Sequence, residues 1–123
     1  MLQGLFKKFM TMTADVPEIT PTELKARIDN EDELVLVDVR ELHEAIIADL
    51  PDYGAKLQIP TGEFMGRMSD LNPDDVLVLY CRSGQRSEWA AQLLMQRGFE
   101  NVLNLKGGVL GWRQEVDPSL QGY

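Results

Sequence analysis

The stretch that decides the fold is residues 76–87, VLVLYCRSGQRS. Its first five residues are continuously apolar, which is the pattern of a strand covered on both faces. A polar loop with one glycine follows over 81–86, and a helix is predicted over 87–97 with Ser87 as a candidate cap. A buried strand, a short loop and a helix predict a parallel α/β sheet, with the loop at the strand end where such sheets bind ligands.

Strands and helices alternate along the rest of the chain. Other extended or apolar stretches are predicted strands, and polar-flanked segments between them are predicted helices. Thr20, with Glu23 three residues later, is a capping box that starts the first helix. Such alternation implies right-handed crossovers and a mostly parallel sheet. The predicted strands are 16–20, 34–37, 57–59, 76–80 and 102–105, and the predicted helices are about 21–30, 41–50, 62–68, 87–97 and one opened by Gly107 and Gly108.

Length and charge limit the class of protein. The 123 residues, with a mass of 13.9 kDa, support one domain. The net charge of −8 argues against nucleic-acid or anionic-membrane partners, because phosphates bind to basic surfaces. The sequence has no apolar run of about 18 residues, the length that spans a membrane. Lys7 and Lys8 interrupt the apolar residues at the start, so no secretory signal is predicted and we expect a cytoplasmic protein.

The two ends are predicted to lie outside the domain, which we place at residues 16–117. Residues 1–15 form an extension that is either disordered or a short amphipathic helix, because Leu2, Leu5, Phe6 and Phe9 have helical spacing. Residues 118–123 are expected to be a loose tail. The single cysteine and single histidine exclude an internal disulfide and a cysteine-built zinc site. No metal or cofactor is expected.

Cys81 is the candidate nucleophile. It follows a buried strand and precedes a helix, whose positive dipole end favours an anion. Gly84 lets the loop turn so that consecutive N–H groups form an anion nest. Arg82 and Arg86 add positive charge within an acidic protein. These features favour the nucleophilic thiolate and predict a lowered pKa for Cys81. The alternative is a buried strand-end cysteine beside two surface arginines.

Three segments resemble the rhodanese-like sulfurtransferases in their single-domain form. They are 36–41 (LVDVRE), 81–87 (CRSGQRS) and 105–112 (LKGGVLGW), and the resemblance covers roughly residues 17–116. It implies a central five-stranded parallel sheet with helices on both faces. It also implies that Cys81 accepts a sulfane sulfur from a donor such as thiosulfate, becomes a persulfide and passes the sulfur to a thiophilic acceptor. The implied substrate-binding residues are Arg82, Ser83, Gly84, Gln85, Arg86 and Ser87.

Individual roles within this loop follow from its charges and donors. The backbone N–H groups of 82–87 are expected to surround the outer sulfur, as an oxyanion hole surrounds oxygen. Arg86 is expected to hold the anionic donor, and Arg82 to project outward and steer anions or a partner. Ser83 and Ser87 are candidates for bonds to substrate oxygens, although Ser87 is equally a candidate helix cap. Since the chain has one cysteine, the sulfur acceptor has to be an external small thiol or protein thiol.

Several residues outside the loop have two interpretations. In one interpretation, Asp38 forms a turn and Arg40 forms an ion pair with Glu44, four residues further along the chain. In the other, Arg40 lies at the mouth of a pocket. His43 is expected to be a solvated or capping residue. Gly107 and Gly108 are expected to let the chain pass close to the active loop. Residues 48–55 (ADLPDYGA) depart from the Gly-His-Ile-Pro-Gly-Ala stretch usual in the resembled family. The resemblance therefore does not predict the local structure of this segment. Trp89 and Trp112 are expected to be packing residues.

Two rival functions use the same fold. Phosphatases and arsenate reductases place arginine after cysteine plus five residues, which leaves room for a tetrahedral oxyanion. Here only four residues separate Cys81 from Arg86, which fits a single sulfur atom better. The second rival is a non-catalytic binding module or a persulfide carrier. A binding module without activity is expected to lack the cysteine, whereas Cys81 and its loop are intact.

Overall fold

The computed structural model describes residues 15–123, so the predictions for the N-terminal extension fall almost entirely outside the described residues. This part of the chain contains five strands and five α-helices. The strands are β1 Glu18–Ile19, β2 Val35–Asp38, β3 Ala55–Gln58, β4 Leu77–Tyr80 and β5 Val102–Leu105. The helices are α1 Pro21–Asp29, α2 Leu42–Ile47, α3 Thr61–Arg67, α4 Gln85–Gln96 and α5 Gly108–Glu115, with a 3-10 turn at Met68–Asp70 after α3.

All strand pairs are parallel, and the order across the sheet is β1-β5-β4-β2-β3. β4 lies at the centre, where Leu79 is in register with Val37 of β2 and with Asn104 of β5. The prediction of a five-stranded parallel sheet is confirmed. Cys81 follows the last residue of the central strand, so the loop after β4 opens at the carboxyl edge of the sheet.

Helices cover both faces of the sheet, as predicted. One buried cluster contains Phe64 of α3 and Leu94 of α4, and the other contains Leu24 of α1 and Trp112 of α5. Trp112 is buried, which confirms its packing role. Truncating an aromatic side chain in such a core typically costs about 3–5 kcal/mol. Among the described residues, no helix is both long enough and apolar enough to cross a membrane.

Local chemistry explains where two of the helices begin. In α1, Thr20 Oγ1 accepts from the Glu23 N–H at 3.1 Å and Glu23 Oε1 accepts from the Thr20 N–H at 2.9 Å, which is the predicted capping box. α4 begins at Gln85, two residues earlier than predicted, because Gly84 caps it with a left-handed φ of 104°. Ser87 therefore lies inside the first turn, and its interpretation as the helix cap is wrong.

The segment after α5 has contacts where we expected a loose tail. Arg113 Nε donates to the Leu120 carbonyl at 2.7 Å. Leu120 and Tyr123 are half-buried and pack against the cluster that contains Trp112. These contacts bring Tyr123 to the carboxyl edge of the sheet, beside the loop that follows β4.

Candidate active site

Cys81 lies at the base of the loop and is only 1% exposed. Its Sγ accepts a hydrogen bond from the Gly84 N–H at 3.0 Å and faces the Ser87 hydroxyl at 3.4 Å. The left-handed backbone of Gly84 turns its N–H back toward the sulfur. The loop thus collects donors around one sulfur atom.

These donors set the acidity of the thiol. Burial alone raises the pKa of Cys81, but the Ser87 hydroxyl and the backbone N–H groups of Ser87, Gly84 and Ser83 lower it further than burial raises it. The result is a pKa below the ordinary value of a cysteine, as predicted. Hydrogen bonding at the sulfur causes the lowering, in part through the loop N–H groups that the sequence predicts to form an anion nest.

Asn104 supports the loop from the neighbouring strand. Its Nδ2 donates to the Gly84 carbonyl at 3.0 Å, and its Oδ1 accepts from the Ser87 hydroxyl at 2.6 Å. Asn104 and Ser87 are both buried. Asn104 was not predicted as a site residue, although a polar residue within the apolar run of β5 was a signal available in the sequence.

The start of α5 closes on the loop from above. The Val109 N–H donates to the Cys81 carbonyl at 2.9 Å, and the Leu110 N–H donates to the Arg82 carbonyl at 3.0 Å. A Cβ at Gly108 would lie 2.3 Å from the Cys81 carbonyl oxygen, and φ at Gly108 is 59°. The predicted close passage of the glycine pair is confirmed, and glycine is required at this position.

Arg86 forms a two-pronged ion pair with Glu44 of α2. Both distances between guanidinium nitrogens and carboxylate oxygens are 2.8 Å. The Glu44 side chain is buried, while that of Arg86 is 37% exposed. The pair holds the pKa of Glu44 at about 2, chiefly through the hydrogen bonds from Arg86. This ion pair was not predicted from the sequence, because 42 positions separate the two residues.

The structure corrects both predicted roles of Arg40. It is fully buried, so it does not line a pocket mouth. Its guanidinium contacts Asp38 at 2.9 and 2.8 Å and Asp49 at 2.9 Å. It reaches only the backbone carbonyl of Glu44, at 3.3 Å, so the predicted side-chain pair of Arg40 with Glu44 is wrong.

The atypical segment 48–55 is anchored through Asp49. Its carboxylate accepts from the Tyr80 hydroxyl at 2.7 Å and from Lys56 Nζ at 2.8 Å, in addition to Arg40. Polar contacts thus fix this connection between α2 and β3. His43 is exposed on α2, as expected.

Arg82 contacts the end of the described chain. Its side chain is exposed, and its guanidinium lies 5.3 Å from the centre of the Tyr123 ring. Arg82 Nε also donates to the Tyr123 carbonyl. The Tyr123 hydroxyl accepts from Arg40 at 2.8 Å and donates to Glu44 at 3.1 Å. No sequence pattern pointed to Tyr123.

An open cleft adjoins Arg86 on the side of α3. It has a volume of about 500 Å³ and is lined by Thr61, Gly62, Gln85, Arg86 and Trp89. Trp89 packs against Phe64 with ring centres 6.3 Å apart, as predicted, and its side chain remains 41% exposed beside the cleft. Among residues 15–123, no group of three or more His, Cys, Asp or Glu side chains could hold a metal ion.

The family model for the rhodanese-like domain matches residues 20–115 of this chain. The chain belongs to this family. A protein of Allochromatium vinosum named a sulfurtransferase is 40% identical over 103 residues, which cover 84% of this chain and 94% of that one. YrkF of Bacillus subtilis is 35% identical over 104 residues, covering 85% of this chain but 55% of YrkF. Among solved structures, the rhodanese-related protein of Thermoplasma volcanium has a TM-score of 0.71 and 27% identity, covering 81% of this chain and 93% of that one.

Proposed function

We propose that this rhodanese-like domain is a sulfurtransferase that works through a persulfide on Cys81. The sulfur donor is a small anion such as thiosulfate, and the acceptor is an external thiophilic group. The observation that carries the proposal is the position of the Cys81 sulfur, which accepts from Gly84 at 3.0 Å and faces Ser87 at 3.4 Å. The name of the 40% identical relative supports a sulfur-transferring enzyme in general.

The first step uses the thiolate of Cys81 as a nucleophile. It attacks the outer sulfur of thiosulfate, an S–S bond forms at Cys81, and the S–S bond of thiosulfate breaks. Sulfite leaves with the electron pair of that bond. The lowered pKa of Cys81 increases the fraction of thiolate, which is the nucleophilic form. Hydrogen bonds from the loop stabilise negative charge on sulfur, as they stabilise oxygen in an oxyanion hole.

In the second step, an acceptor thiolate or cyanide attacks the outer sulfur of the persulfide. The new bond forms to the acceptor, and Cys81 leaves as the thiolate. The acceptor is external because the chain has one cysteine. Thiols stay reduced in the cytoplasm, and this is where we expect the protein to act.

Arg86 is the proposed contact for the anionic donor. Its guanidinium is part-exposed and borders the cleft with Trp89. The Glu44 carboxylate accepts from two N–H groups of Arg86. The anionic donor therefore either competes with Glu44 for the Arg86 guanidinium or binds it alongside Glu44. The side chains of Ser83 and Gln85 are exposed within the proposed binding loop, and Gln85 lines the same cleft.

The loop favours sulfur over phosphate as the transferred group. Four residues separate Cys81 from Arg86, and α4 already begins at Gln85. A loop this short fits a single sulfur atom better than a tetrahedral oxyanion, and the Gly84 N–H donates to Sγ at 3.0 Å. A persulfide carrier or a binding module is the second candidate, and thiosulfate treatment distinguishes both from an enzyme. A binding module forms no adduct, and a carrier forms one but does not turn over.

Intact-protein mass spectrometry after thiosulfate treatment tests the proposal. The wild type is expected to gain the mass of one sulfur atom, and cyanide is expected to remove it with formation of thiocyanate. Cys81→Ser is the matched control and is expected to gain nothing. Absence of the adduct in folded wild-type protein would overturn the persulfide mechanism.

A further inference from the structure

We propose that Tyr123 is a positioning residue that fixes both arginines of the Cys81 loop, Arg82 by direct contact and Arg86 through Glu44. The inference rests on the proposed function for its biological meaning. In physical terms, Tyr123 holds the positive charges of Arg82 and Arg86 in place at the Cys81 loop. The tyrosine lies 41 residues beyond Arg82 in the sequence, in a segment for which the proposed reaction has no other use.

The direct contact restrains Arg82 at two points. The Tyr123 ring lies 5.3 Å from the guanidinium carbon, within the range of a cation–π interaction. The Tyr123 carbonyl accepts from Nε of the same side chain. A free arginine on the surface samples many rotamers, whereas these two contacts restrict Arg82 to one side of the loop. Tyr123 thus defines where the Arg82 charge is placed.

The indirect contact runs through the Tyr123 hydroxyl. Arg40 can only donate, so its bond of 2.8 Å uses a lone pair of the hydroxyl oxygen. The hydroxyl hydrogen is then free to donate to Glu44 Oε1 at 3.1 Å. The same carboxylate oxygen accepts from Arg86 at 2.8 Å. The hydroxyl therefore connects a fully buried cation to the carboxylate that orients Arg86.

The preceding residues hold Tyr123 in place. Ser119 donates to Asp117 Oδ1 through its N–H at 3.1 Å, which closes the turn after α5. The Leu120 carbonyl accepts from Arg113, and Leu120 packs against the core. The position of Tyr123 is therefore set by α5, the helix whose first turn contacts the Cys81 loop.

Paired alkylation rates test this role. Iodoacetate is an anion and iodoacetamide is neutral, so the ratio of their rates with Cys81 reports the positive charge held at the mouth. In Tyr123→Ala we expect this ratio to fall about fivefold, the scale of a surface cation–π contact. In Tyr123→Phe, which keeps the ring and the carbonyl but loses the hydroxyl bonds to Arg40 and Glu44, we expect a fall of about twofold, because Glu44 then orients Arg86 less firmly. Tyr53→Ala is the control, because the Tyr53 hydroxyl donates to the Asp32 carbonyl rather than to Arg82, Arg86 or Glu44. The ratio of alkylation rates in this variant should match that of the wild type.

A merely structural role for Tyr123 would change both rates by the same factor and leave the ratio constant. A constant or increased ratio in Tyr123→Ala would overturn the proposal. If Tyr123→Ala does not fold, the isosteric Tyr123→Phe decides, and an unchanged ratio there would exclude the link through Glu44. Alkylation does not require sulfur transfer, so these outcomes are independent of whether Cys81 forms a persulfide. With an active enzyme, Tyr123→Ala should raise KM for thiosulfate by a larger factor than it lowers kcat.

Discussion

The Ser87 hydroxyl oxygen lies 3.4 Å from the sulfur of Cys81. The same oxygen lies 2.6 Å from Asn104 Oδ1, so one hydroxyl hydrogen has two acceptors. A charged acceptor forms the stronger hydrogen bond. We therefore expect the hydrogen to be donated to Asn104 while Cys81 is a thiol and to the sulfur once the thiolate forms.

Ser87→Ala should raise the pKa of Cys81. The substitution removes a donor that stabilises the thiolate while the thiol stays buried. The midpoint of iodoacetamide alkylation against pH measures the pKa, and in the wild type it should lie below the free-cysteine value of about 8.5. Ser83→Ala is the control, because the Ser83 side chain is exposed and only its backbone acts on the sulfur. A midpoint that stays constant or falls in Ser87→Ala would contradict the assignment.

Cys81→Ser should abolish sulfur transfer and keep the fold. A hydroxyl cannot form a persulfide, and the smaller oxygen fits the same buried position. Thiocyanate production from thiosulfate and cyanide measures the activity, and thermal unfolding followed by circular dichroism measures the fold. Substantial thiocyanate production by a folded Ser variant would refute the mechanism.

Arg86→Ala should lower kcat/KM for thiosulfate by about one to two decades, the scale of a hydrogen bond to a charged group. Arg82→Ala should have a smaller effect that fades with salt, because an exposed arginine acts mainly by steering. Steady-state kinetics at low and high ionic strength separate the two. If Arg82→Ala proves the more damaging at high salt, the roles of the two arginines are reversed.

Gly108→Ala should destabilise the domain by about 3–5 kcal/mol. The new Cβ would lie 2.3 Å from the Cys81 carbonyl, at a backbone φ that disfavours side chains, so the Cys81 loop or α5 would have to move. Gly98→Ala is the matched control, since Gly98 also has positive φ but open space around it. That variant should lose only about 1–2 kcal/mol. Urea unfolding of both proteins measures the difference, and equal losses would show that contact with the loop is unimportant.

Glu44 should make stability depend on pH in the acid range. In the folded state the pKa of Glu44 is about 2, below the ordinary value of 4.5. As pH falls, the unfolded chain therefore binds a proton at Glu44 before the folded protein does. The stabilisation is complete above the unfolded pKa and is lost as pH falls toward the folded one. The gap in unfolding free energy between wild type and Glu44→Gln should therefore narrow as pH falls from 4.5 to 2. A gap that is constant across this range would argue against the ion pair with Arg86.

The sequence predicted the sheet and the place of the candidate nucleophile because both depend on local pattern. The apolar run before Cys81 defines a buried strand, and the glycine pair at 107 and 108 marks a close approach. The start of α4 was misplaced by two residues, because the sequence did not reveal that Gly84 adopts φ of 104° as its cap. Since the helix begins at Gln85, Ser87 lies in its first turn, where the hydroxyl faces the sulfur of Cys81.

The partners of the loop could not be predicted, because they come from distant parts of the chain. Glu44 reaches Arg86 from α2, and Asn104 reaches Gly84 from the neighbouring strand. Tyr123 reaches Arg82 only because the segment after α5 folds back along the sheet edge. Arg40 was assigned to Glu44 on helical spacing, but it precedes the helix and its side chain turns inward to Asp38.

Within residues 15–123, β1 pairs only with β5, with Glu18 beside Asn104 and Ile19 beside Leu105. During synthesis from the N-terminus, β1 therefore cannot form this pairing until almost the whole domain has left the ribosome. Asn104 lies on that late strand, so the support for Gly84 and Ser87 is also completed late. A nascent chain thus carries Cys81 and its loop before Asn104 is in place to hold Gly84 and Ser87, two of the residues that donate to the sulfur.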